Sequence, residues 1–154
     1  MNLSKKAMGI QPSVTLEITA KAKQLKKQGV DVISFGAGEP DFNTPDNIIN
    51  AAVKAMNDGN TKYTETAGIL ELRNAICNKL KKDNGLNYEP SQIVVSTGAK
   101  QCLANVFTAI LNPGDEVILS NPSWVSYVEL IKLADGVPVI VNCDENDGYK
   151  LSAK

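Results

Sequence analysis

Histidine is absent from the 154 residues. That removes Ser-His-Asp and Cys-His catalysis from these residues, and most transition-metal sites with them. Cysteine is scarce: Cys77, Cys102 and Cys143 are odd in number, far apart and form no CxxC pair. Neither a disulfide framework nor a zinc site is expected, and the thiols read as those of a cytoplasmic protein. Aromatic residues make up 5% of the chain, too few for a surface on which single-stranded nucleic acid would stack. Neither sign of charge dominates, with 16 Lys and Arg against 17 Asp and Glu. The one dense basic stretch is Lys21, Lys23, Lys26 and Lys27. It lies among apolar residues at helical spacing and reads as a solvated helix face, not a nucleic-acid patch. No apolar run approaches the ~20 residues needed to cross a bilayer. The opening Met1-Asn2-Leu3-Ser4-Lys5-Lys6 lacks the apolar stretch of a secretion signal. Chemistry carried by these residues must therefore come from Lys, Tyr, carboxylates, backbone donors or a bound cofactor.

What is present is alternating helical and extended pattern, without internal repeats. Residues 13–28 suggest a helix capped by Ser13, with Val14, Ile18, Ala22 and Leu25 on one side and Gly29 as its stop. Val32, Ile33 and Phe35 form a short extended run into the loop Gly36-Ala37-Gly38-Glu39-Pro40-Asp41. A second helix is expected after Thr44 as cap and Pro45 as first residue, with Ile48, Ile49, Ala52, Val53 and Met56 as a buried stripe. A third carries Ile69, Leu72, Ile76 and Leu80 and ends before Gly85. The pattern then changes. Ile93-Val94-Val95 reads as a strand, followed by a helix carrying Leu103, Val106, Phe107 and Ile110. After the turn Asn112-Pro113-Gly114-Asp115, Val117-Ile118-Leu119 reads as a second, buried strand, residues 123–135 as a helix, and Val137 to Cys143 as a third strand. Pro138 points to a sheet edge. Strand and helix alternating with short connections means parallel strands with helical crossovers, an α/β fold.

Four places stand out as candidate chemistry. Ser96 to Gln101 takes a strand through Gly98 into a helix, whose first amides suit a phosphate, with Lys100 adding charge. An ordinary βα turn would use the same glycine, and the stretch is neither a Walker A loop nor a GxGxxG fingerprint. Trp124, the only tryptophan, follows a strand at the end where α/β sheets bind ligands; it suits stacking on a flat cofactor or stapling a helix start into a core. Ala37-Gly38-Glu39-Pro40-Asp41 is either a turn presenting the Gly38 amide to a carboxylate or a plain loop. Tyr63 sits in a polar loop, either as a phosphate donor or as a surface tyrosine.

Taken in order, six motifs resemble a known family. They are Ala37-Gly38-Glu39-Pro40-Asp41-Phe42, Thr61-Lys62-Tyr63, Ala67-Gly68-Ile69 with Glu71-Leu72-Arg73, Thr97-Gly98-Ala99-Lys100-Gln101, Asn112-Pro113-Gly114-Asp115-Glu116-Val117, and Pro122-Ser123-Trp124-Val125-Ser126-Tyr127. Together they resemble the aspartate aminotransferases of the class I/II, fold-type I family, which depends on pyridoxal 5'-phosphate (PLP). The resemblance runs from about Pro12 onward. It implies parallel βαβ units of a PLP-transferase large domain with an incomplete sheet, preceded by a helical arm of the small domain. Residues 1–43 would form the arm and small-domain segment, and 44–154 the front part of the large domain. Residues 13–28 would belong to the smaller, mobile domain that closes over substrate. The implied reaction moves an amino group from an amino acid, L-aspartate or a relative, to a 2-oxo acid such as 2-oxoglutarate, in a homodimer.

Carried over by position, the resemblance implies that backbone amides of Gly98, Ala99 and Lys100 hold the PLP phosphate and that Trp124 stacks on the pyridine ring. It further implies that the Gly38 amide meets the substrate carboxylate and that Tyr63 reaches a phosphate across the dimer interface. The family's cofactor-linking lysine and its other catalytic groups correspond to positions beyond residue 154, so no catalytic residue is expected in this chain and the chain reads as a fragment that is inactive alone. Lys100, set in the phosphate turn, is badly placed to replace that lysine. Two other functions stay open. One is a PLP lyase or synthase on the same fold. The other is a non-enzymatic module that binds a phosphorylated small molecule or a protein. Nucleic-acid and membrane partners are not expected.

Overall fold

The computed structural model describes residues 2–153, which form two compact units. One joins the residues up to Ala37 with those from Thr97 on; the other is Gly38–Ser96.

The first unit opens with a helix absent from the sequence expectations, α1 (Lys5–Gly9), where Ser4 Oγ accepts the Ala7 amide at 3.1 Å. The next, α2 (Val14–Lys27), matches expectation at both ends. Ser13 Oγ accepts the Leu16 amide at 3.4 Å. At the other end Gly29 takes a φ of +82° while its amide and that of Val30 return to Lys26 and Leu25 carbonyls. That reversal satisfies carbonyls the helix would leave open. Ile18, Ala22 and Leu25 turn toward Val32, in an extended segment that joins no sheet.

Helix α5 (Gly98–Ile110) leads through a turn to strand β1 (Glu116–Asn121), helix α6 (Ser126–Leu133) and strand β2 (Val137–Asn142). The strands are parallel and in register from Glu116 opposite Val137 to Asn121 opposite Asn142. This βαβ unit is the α/β fold expected. Its core is small: α6 packs on both strands and on α5, and Ile131 is 1% exposed. Gly136 is buried beside it, because a Cβ there would lie 2.8 Å from Leu111 Cδ1 and 3.0 Å from Ile131 Cγ2. In the turn before β1, Gly114 has a φ of +90°. The Asp115 carboxylate accepts from the Asn112 backbone amide at 2.7 Å and from its Nδ2 at 3.1 Å. Those two bonds, the backbone one first, hold the Asp115 carboxyl below the ordinary carboxylate range. Val137 and Cys143 amides donate to Asp115 and Asn121 carbonyls, so odd-numbered residues of β2 face β1. Pro138 therefore points its missing donor at the open edge, as its residue type demands.

Two expectations in this unit need correction. Val117-Ile118-Leu119 is not fully buried: only alternate side chains turn inward, and Ile118 is 64% exposed, because one face of the strand is covered. The helix expected over 123–135 starts at Ser126 and stops at Leu133. Residues 122–124 are spent turning the chain out of β1, and Asp135, at φ +63°, has already left the helical region.

In the second unit, α3 (Asp46–Asn57) begins one residue later than expected. Pro45 has an extended ψ of 141°, so it stands outside the helix as its cap, while its carbonyl accepts the Ile48 and Ile49 amides. Thr44 is not the cap. The expected buried stripe is open: Ile48, Ile49, Val53 and Met56 are all exposed, since no element among the described residues covers them. Helix α4 (Leu70–Asn84) ends as expected at Gly85, which is left-handed at φ +68°. It packs on a single 3-10 turn, Pro90–Gln92. Arg73 binds this unit together, donating from Nε to Gly68 O at 2.9 Å and from Nη1 to Pro90 O at 3.0 Å. The strand expected at Ile93–Val95 does not form. The run stays extended: Ile93 N closes the preceding turn on Pro90 O at 3.3 Å and Val95 N reaches Ala67 O at 2.9 Å, but a ladder needs a second strand and none among the described residues pairs with it.

Candidate functional site

The start of α5 offers donors of the kind that suit an anion. Thr97 is the cap, but its own hydroxyl makes no capping bond; instead Gln101 folds back and its Oε1 accepts the Thr97 amide. Gly98 takes a φ of +78°, and no atom lies within 4 Å of where its Cβ would be. The following amides sit at the positive end of the helix, where they have no partner inside it. Gly98, Ala99 and Lys100 are all exposed. A phosphate fits this donor set, with open space over the glycine and a lysine one turn in.

Trp124 lies in the same unit, just past the C-terminal end of β1 and two residues before α6, not on the helix itself. The residue is 44% exposed. Tyr127 meets it edge-on, with centroids 5.5 Å apart and planes at 84°. Lys100 Nζ lies 4.7 Å from the indole centroid, a cation–π contact that ties the helix start to the tryptophan. The unit thus brings Gly98, Ala99, Lys100 and Trp124 to one place. At the same end of the sheet, Asn121 Nδ2 donates to Asn142 Oδ1 at 2.9 Å. Tyr63 and Gly38 belong to the other unit. Tyr63 is fully exposed in a loop with Thr61 and Lys62, and Gly38 is exposed with open space around it.

Sequence reasoning placed Gln101 and Tyr127 within motifs but assigned neither a role of its own. Both had a legible signal: a glutamine four residues after a threonine at a helix start, and an aromatic residue three after the tryptophan. Among the described residues no cluster of Cys, Asp or Glu could hold a metal ion, and no helix is long and apolar enough to cross a membrane.

A parallel βαβ unit with an open, glycine-led helix start and a half-exposed indole at the C-terminal end of its strands defines an α/β protein whose candidate site lies at the sheet end where such folds bind ligands. Residues 30–154 match the sequence profile of aminotransferase class I and II, and the chain belongs to that family. It is 55% identical over 152 residues to the aspartate aminotransferase of Bacillus subtilis (strain 168), covering 99% of this chain and 39% of that protein. It is 51% identical to the aspartate aminotransferase of Geobacillus stearothermophilus, again over 99% of this chain and 39% of that one. The solved structure of Thermus thermophilus aspartate aminotransferase with maleate superposes with a TM-score of 0.94 at 45% identity, over 99% of this chain and 40% of the other. The chain spans about two fifths of the length of the curated relatives it matches.

Proposed function

We propose that this chain is the cofactor-phosphate and ring-stacking part of a PLP-dependent aminotransferase. The reaction moves an amino group from L-aspartate or a related amino acid to a 2-oxo acid, with 2-oxoglutarate the expected acceptor. The observation that carries this reading is the meeting of Lys100 with Trp124 at the open start of α5. PLP, when bound, supplies an electron sink for the amino acid's α-carbon, and the protein supplies orientation and electrostatics. The amides of Gly98, Ala99 and Lys100 hold the phosphate, and the side chain of Lys100 adds positive charge beside it. Trp124 stacks on the pyridine ring, and Tyr127 holds the indole on edge. The Gly38 amide meets the substrate carboxylate, and Tyr63 reaches a phosphate across the interface of a homodimer. Residues 1–43 serve as arm and small-domain segment and 44–154 as large-domain segment, in a cytoplasmic enzyme of amino acid biosynthesis. The identities with named aspartate aminotransferases, above half over nearly the whole chain for the Bacillus subtilis protein, support the substrate class.

The test uses the full-length protein as its gene produces it, loaded with PLP. Visible absorbance of bound cofactor and formation of oxaloacetate and glutamate from L-aspartate and 2-oxoglutarate are expected. Release of ammonia without amino transfer would replace the reading with a lyase, and failure to bind PLP would end it. Sedimentation of the same sample should give a dimer.

A further inference from the structure

The N-terminal arm is tied to the best-packed helix of the molecule at two points. Lys6 Nζ meets Asp135 Oδ2 at 2.7 Å, just past the end of α6. The backbone amide of Gln11 donates to Glu129 Oε2 at 3.1 Å, and the other oxygen of Glu129 accepts from Lys132 Nζ at 3.0 Å. The two ties are unequal. Lys6 and Asp135 are both near half exposed, where water and salt weaken an ion pair. The Glu129 side chain is 22% exposed, and both its oxygens are engaged, one of them by backbone that cannot swing away as a side chain does. Two residues beyond Gln11 the cap of α2 begins. That helix packs on the Val32–Gly36 segment, where a Cβ on Gly36 would stand 2.6 Å from Ile18 Cγ2. The tied stretch also walls a cavity of about 380 Å³, formed by Ile10 and Val14 with Lys100, Val125, Leu130 and Leu133.

We propose that Glu129 is a positioning residue that pins the backbone at Gln11 to α6 and so fixes the wall of the cavity beside Lys100. Ion pairing with Lys132 orients the carboxylate, and the Gln11 amide is what it holds. The consequence for turnover rests on the aminotransferase reading; the clasp itself does not.

Amide hydrogen exchange on the full chain tests the clasp without cofactor. Glu129→Ala should speed exchange at Gln11 about tenfold, while Glu129→Gln, which keeps an acceptor oxygen, should speed it less than about threefold. The Val139 amide, inside the sheet, should not change in either variant. Unchanged exchange at Gln11 in the alanine variant, or an equal rise at Val139, would overturn the proposal. In the full-length PLP-loaded protein, Glu129→Ala should raise KM for the amino acid severalfold with kcat and cofactor absorbance held. A fall in kcat at constant KM would count against the positioning role. If the unsubstituted protein binds no PLP, the aminotransferase reading falls, and the exchange measurement still decides the clasp.

Discussion

Helices α3 and α6 carry comparable apolar stripes and meet different fates. In α6, Ile131 is sealed between α5 and the two strands, and its neighbours Tyr127, Val128 and Leu130 are half-buried. In α3, Ile48, Ile49, Val53 and Met56 stand 43–59% exposed. The amphipathic pattern foretold both helices, and it foretold equally that each has a face meant to be covered. It did not say whether the cover lies within these 154 residues. For α6 the cover is the pair of strands that flank it in sequence. For α3 nothing near in sequence supplies one. Local supersecondary packing therefore closes by itself, whereas a helix whose partner is distant keeps its shape and leaves its apolar face open.

The comparison predicts a hierarchy of stability effects. The largest is Ile131→Ala, which should cost ~2–5 kcal/mol in equilibrium urea unfolding because it empties a closed site. Val53→Ala, on the open face of α3, should cost less than ~0.5 kcal/mol beyond its small change in helix propensity. Equal costs at the two positions would break the contrast between the helices. Next comes Gly136→Ala, where the added methyl would press on Leu111 and Ile131; ~1–3 kcal/mol is expected by the same measurement. Arg73→Lys sharpens the comparison from the other side, since the second unit relies on a polar tie more than on a core. Losing the paired bonds to Gly68 and Pro90 carbonyls should cost ~1–2 kcal/mol, read as faster exchange at the Val95 amide. The smallest effect is at the exposed Asp115. Its carboxyl titrates below the ordinary range when folded, so its contribution is present above the unfolded carboxylate pKa and is lost as pH falls through the lower folded one. The difference in unfolding midpoint between the protein and Asp115→Asn should therefore be greatest near neutrality and vanish in acid; a constant difference across pH would remove the Asn112 bonds as its cause.

Legibility followed sequence distance. The ends of α2 and α4 were readable because Ser13, Gly29 and Gly85 act within a few residues of where they stand. Pro45 misled by one place, since a proline can serve as cap or as first helical residue and only its ψ of 141° separates the two. The strand at Ile93–Val95 was overread, because β-branched residues favour an extended chain but hydrogen bonds to a neighbour make a strand. At the candidate site, Gly98, Ala99, Lys100 and Trp124 were each visible as residues worth attention. That Lys100 reaches across to the indole was not, since 24 positions separate them in the chain. The bond from the Thr97 amide back to Gln101 lay between these cases, within local reach but given no role from the sequence.

By itself the sequence determined helices α2 to α5, the stops of α2 and α4, the parallel βαβ order and the family to which the chain belongs, because capping, turn chemistry and periodicity act over a few residues and the six motifs keep their order. Only the tertiary structure decided which apolar faces are covered, that Val94 and its neighbours find no strand to join, and that Lys100 sits over Trp124. Those outcomes depend on which surfaces meet, and free energy is gained only where a partner arrives to exclude water.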